Sequence, residues 1–74
     1  MSYPTTVIAV NSQGKRVKAE ITCGGKYRGF TDENTGSLTF DMNTNERYSV
    51  SAKRYGEYAG GEVKGGQEIV LRLK

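Results

Sequence analysis

Residues 47–54 read RYSVSAKR. Tyr48, Val50 and Ala52 alternate with Arg47, Ser49, Ser51 and Lys53, the period that puts one face of a strand into a core and the other into water. The wider apolar spacing of an amphipathic helix is not sustained here or elsewhere in the chain. This stretch therefore reads as a half-buried antiparallel strand, and it sets the frame for its neighbours.

Upstream, Val17, Ala19, Ile21 and Cys23 alternate with Lys18, Glu20 and Thr22, and Gly24-Gly25 closes that strand as a tight hairpin signal. Residues 5–11 form a first strand, stopped by the turn cluster Asn11-Ser12-Gln13-Gly14. Residues 26–31 return from the hairpin, and a bulge at Gly29 is expected to bring Tyr27 and Phe30 to the same inward face. Residues 38–42 place Leu38, Phe40 and Met42 inward. Downstream, residues 55–59 read as a strand frayed by Gly56 and ended by Gly60-Gly61. Residues 68–73 carry Ile69, Leu71 and Leu73 on one face and Val70 and Arg72 on the other. The result is an all-β chain, a small antiparallel β-sandwich or barrel of six to seven strands, with the sandwich preferred. Nothing divides residues 1–74 into more than a single domain.

Residues 31–40, TDENTGSLTF, invite a cation-binding reading because Asp32, Glu33 and Asn34 precede Gly36. An EF-hand loop needs glycine at its sixth place and glutamate at its twelfth, and from Asp32 those places hold Ser37 and Asn43. The ligand set fails. Asp and Asn side chains bond readily to their own turn backbone and Gly36 accepts a positive φ, so a hairpin turn into Leu38-Thr39-Phe40 accounts for every residue.

With 74 residues the chain buries only about 60% of the surface its unfolded form exposes, so the core is thin. The single cysteine, Cys23, excludes an internal disulfide. It falls in register with Val17, Ala19 and Ile21, so it belongs inside as a small apolar residue. The absence of histidine removes the usual zinc ligand sets and the general base of a nucleophilic triad. No cofactor, no metal and no enzymatic activity are expected. The longest apolar run, residues 7–10, is far short of a membrane span, so no membrane insertion is expected. The N-terminus lacks the features of a secretory signal, and a cytoplasmic location is expected for the chain as written. An excised domain of a larger extracellular or periplasmic protein would read the same way.

Taken in order, Gly14-Lys15, Val17, Ala19-x-Ile21, Thr31-Asp32-Glu33, Gly36, Leu38 and Phe40, Tyr48-x-Val50-x-Ala52, and Gly56 followed by Tyr58 form a series. With the closing residues 66–71, GQEIVL, it resembles the carboxypeptidase regulatory-like domains of the transthyretin-like (prealbumin-like) β-sandwich class. Arg16 stands where that family favours proline, and Thr35 lengthens the Thr-Asp turn by a residue. The resemblance implies a Greek-key, transthyretin-like sandwich. It also implies a non-catalytic accessory, spacer or binding module.

The net charge of +3 is mild, and the cations are spread along the chain. Arg47 and Lys53 on the outer face of one strand, with Lys26 and Arg28 on a neighbour, would form a modest basic patch for phosphates. Arg54, Tyr55 and Tyr58 interleave charge with aromatic rings suited to stacking on a base or a sugar. Tyr48, just past a turn, resembles a tyrosine corner whose hydroxyl returns to upstream backbone. The leading expectation is a non-enzymatic module acting through protein contacts, by a protein partner or self-association, with edge-strand pairing through residues 68–73 as one route. The alternatives are a basic module binding nucleic acid or another polyanion, and, more weakly, glycan binding through Tyr55 and Tyr58.

Overall fold

The computed structural model describes residues 2–74, which form seven strands and no helix. In chain order these are β1 (Tyr3–Val10), β2 (Glu20–Cys23), β3 (Lys26–Phe30), β4 (Ser37–Met42), β5 (Arg47–Arg54), β6 (Glu57–Lys64) and β7 (Glu68–Arg72). One sheet has three strands in the order β4-β1-β7, the other four in the order β3-β2-β5-β6. All pairings are antiparallel except β1 with β7. The inward residues of both sheets meet in one core cluster. Val7, Ala9, Met42 and Leu71 come from the smaller sheet, and Ile21, Cys23, Val50, Ala52, Ala59 and Val63 from the larger. Among the described residues no helix is long and apolar enough to cross a membrane.

RYSVSAKR is β5, with Val50 and Ala52 buried and Arg47 and Lys53 exposed, as the alternation requires. Cys23 is buried too, in its expected register. Residues 17–19 follow the same apolar pattern yet leave the ladder. Val17 N donates to Ala9 O at 3.1 Å, and Val10 bridges Arg16, so this segment crosses from one sheet towards the other. Val17 and Ala19 still face the shared core, which is why their alternation resembles that of a paired strand.

The bulge in β3 forms, because Ile21 pairs Gly29 while Thr22 pairs Tyr27, leaving Arg28 as the extra residue. It does bring Tyr27 and Phe30 together, edge to face with centroids 6.2 Å apart, but on the solvent side. The inner side is taken by Arg28. Its Nε donates to Cys23 O at 3.3 Å, and its guanidinium lies 5.2 Å from the Phe40 ring centroid across the gap between sheets.

Two further expectations are corrected. Tyr55-Gly56 is a turn rather than the start of a strand, and β6 runs on through Gly60-Gly61 to Lys64. Those glycines serve close packing: a Cβ on Gly61 would stand 3.2 Å from Ile69 Cδ1, and one on Gly60 would meet the Tyr58 ring. The TDENTG segment is not a hairpin within one sheet either. It carries the chain from β3 to β4 in the other sheet, with Gly36 at φ +66 packed against Arg16 and Ala9.

The turn chemistry itself holds. Asp32 Oδ1 accepts from Thr35 N at 3.1 Å and Asn34 N at 2.8 Å, and these two bonds, the Thr35 one foremost, hold the carboxyl below its ordinary pKa. A carboxylate whose folded pKa is depressed adds stability above its unfolded pKa and loses it as pH falls through the folded one. The stability advantage of wild type over Asp32→Ala is therefore expected to shrink below about pH 4, the unfolded range. Parallel urea melts across acid pH measure it.

Candidate functional site

At one end of the four-stranded sheet the β5–β6 hairpin projects past the point where β2 stops pairing with it, since the register ends at Glu20 with Lys53. Residues 17–19 turn away towards Thr31 and Ala9. The separation opens a groove of about 910 Å³. One wall is residues 16–20, the other is the hairpin from Lys53 to Tyr58, and Phe30 and Glu33 close the end.

The hairpin tip has an unusual residue. Tyr55 sits at φ 41 and Gly56 at φ 79, the two positive angles a type I′ hairpin turn requires. Asn, Asp or Gly is the normal first residue, and a tyrosine there costs roughly 1 kcal/mol. Its side chain is 94% exposed, with the Arg54 guanidinium 5.3 Å from its ring centroid.

On the outer face of the same sheet, cross-strand pairing brings four residues into one row: Phe30 beside Glu20, Glu20 beside Lys53, and Lys53 beside Tyr58. Three strand spacings put the backbone positions of Phe30 and Tyr58 about 14 Å apart along the row. Phe30 and Tyr58 are about half exposed, and Lys18 Nζ lies 4.9 Å from the Phe30 ring centroid. The next row runs Tyr27, Thr22, Ser51, Gly60, and the Tyr58 ring leans over Gly60.

Of the residues singled out from sequence, Lys53, Arg54, Tyr55 and Tyr58 line the groove. Lys26, Arg28 and Arg47 do not. Arg47 shares a face with Lys53 but stands at the other end of β5, about 20 Å away at strand rise. β2 separates β3 from β5, and Arg28 points to the core side, so these cations do not converge into one patch. Within the groove Glu20, Glu33 and Glu57 interleave with Arg16, Lys18, Lys53 and Arg54. The surface is mixed in charge rather than basic.

Two side chains with potential chemistry have structural surroundings. Burial pushes the Cys23 thiol up from its ordinary pKa, an effect the nearby Arg28 only opposes, so the reactive thiolate is disfavoured. Tyr48 bonds the Thr44 hydroxyl four residues upstream, a side-chain partner in place of the expected backbone one.

Phe30 and Lys18 escaped sequence reading as site residues because cross-strand register, not proximity in the chain, assembles them with Glu20. The only local signal was the pair Tyr27 and Phe30 flanking a strand glycine. In comparison with known proteins, no family model, curated protein or solved structure matches this chain.

Proposed function

We propose that the chain is a non-catalytic accessory module of the transthyretin-like, carboxypeptidase regulatory-like class, acting through protein contacts at its β5–β6 hairpin end. The fold part of this reading is supported by the ordered motifs and by two sheets sharing one core. The Greek-key reading is supported by β5 returning to lie beside β2 after β2, β3 and β4 follow one another. The strand orders differ from the immunoglobulin arrangement, in which the first, second, fifth and fourth strands share a sheet. The lack of histidine and the enclosed thiol favour a non-catalytic role.

Tyr55 carries the functional part. An aromatic ring held in water, at a backbone angle that tyrosine adopts at a cost, is an outlier that points from structure to function. Tyrosine and arginine are the residues in which interface binding energy concentrates, and Arg54 lies beside it. The interleaved carboxylates favour a protein surface over a polyanion.

Tyr55→Asn separates the two roles. Asparagine fits the left-handed position, so the variant is expected to be about 1 kcal/mol more stable while losing the ring. Capture from native extract with wild type and variant as baits, alongside thermal melts, tests it. A partner held by wild type and lost by the more stable variant supports the reading. Identical captures with both baits, or no capture with wild type, would sink it.

A further inference from the structure

We propose that the outer face of the four-stranded sheet is a self-complementary surface on which a second copy of this chain docks face to face. The inference rests on the protein-contact reading and uses the sheet face that borders the same groove, with Tyr55 itself outside the row. Its basis is the order of the row Phe30, Glu20, Lys53, Tyr58, which has an aromatic ring at each end and opposite charges at its centre.

Two copies packed face to face are related by a two-fold axis lying in the interface, and the interface is isologous. An axis along the row would set Glu20 against Glu20 and Lys53 against Lys53. An axis along the strands reads the row in reverse on the second copy. Glu20 then faces Lys53 of the second copy, Lys53 faces its Glu20, and each Phe30 faces a Tyr58. Glu20 and Lys53 are also cross-strand neighbours within one chain, so the dimer closes a ring of four alternating charges.

The second row obeys the same operation. Thr22 faces Ser51 of the second copy, and Tyr27 faces Gly60, where there is no side chain. The Tyr58 ring leans over that glycine, so Tyr27 and Phe30 of one copy straddle Tyr58 of the other. Aligned face-to-face packing of twisted sheets accommodates this interdigitation.

The face offers on the order of 400 Å² per copy, from four strands about 4.8 Å apart and about 20 Å of strand length. A total near 800 Å² belongs to weak association, so the dimer is a concentration-dependent equilibrium. Charge pairs at its centre make it salt-sensitive.

Sedimentation equilibrium on the full chain, across concentrations reaching the millimolar range, tests the proposal with Glu20→Lys and Lys53→Glu. Circular dichroism establishes that each is folded, and the neutral pair Glu20→Gln and Lys53→Gln provides a milder second set. Wild type is expected to dimerise, and each charge reversal to weaken association roughly tenfold or more. Mixing the two reversals sets a doubly basic row against a doubly acidic one, and is expected to restore dimers. The neutral variants should weaken association less than the reversals do.

A strictly monomeric wild type would overturn the dimer, and so would charge reversals that leave association intact or a mixture that stays monomeric. None of these results bears on the Tyr55 captures, which decide the hairpin contact separately.

Discussion

Replacing Ile21 by alanine is expected to remove about 3–4 kcal/mol of stability and lower the melting temperature by roughly 15–25 °C. Ile21 is fully buried on β2, an interior strand of the larger sheet. Its cross-strand neighbours are Gly29 and Ala52, residues too small to lean into the space a lost side chain leaves. The cavity therefore stays open, and the penalty falls towards the upper part of the range for such truncations. A domain of this length has only about 4–11 kcal/mol of net stability, so the variant loses a large share of it. Urea unfolding measures this, with a lower midpoint and an unchanged slope expected. Val70→Ala, on an exposed apolar residue of β7, is the control and should change stability by less than about 0.5 kcal/mol.

The same physics explains which elements are readable in the sequence. RYSVSAKR has one wet face and one dry face, so its period alone fixes the strand and the direction of every side chain. Residues 17–19 carry an equally clear period but no ladder, because facing a core and pairing with a neighbour are separate conditions. Gly60-Gly61 resembles a strand end, yet there glycine answers to the side chains of Ile69, Leu71 and Tyr58 packing over it. Arg28 is turned inward by the bulge, and the sequence showed a bulge without showing which face it would favour.

Site residues divide along a similar line. Lys53, Arg54, Tyr55 and Tyr58 lie close together in the chain and their interleaved chemistry is visible there. Phe30 and Glu20 join them only through the register of β3 with β2 and of β2 with β5. That register is a tertiary property, set by the core and the hairpin turns.

Thr31→Val is expected to cost about 2–4 kcal/mol although it hardly changes the side chain's shape, because it leaves two buried polar groups without partners. Thr31 is almost completely enclosed. Its Oγ1 donates to Val17 O at 2.8 Å and accepts from Ala19 N at 2.8 Å, while Thr31 N donates to Ala19 O at 2.9 Å. These bonds stand in for a strand ladder along residues 17–19, which form one wall of the groove. Valine keeps the third bond and loses the other two. Thr31→Ser keeps the hydroxyl and gives up only a methyl group, a loss of about 1 kcal/mol. Hydrogen exchange sharpens the comparison: the Ala19 amide should lose protection in the valine variant and keep it in the serine one. Equal melting temperatures for wild type and Thr31→Val would mean that residues 17–19 are held by Val17 and Ala19 packing on the core, with the hydroxyl contributing little.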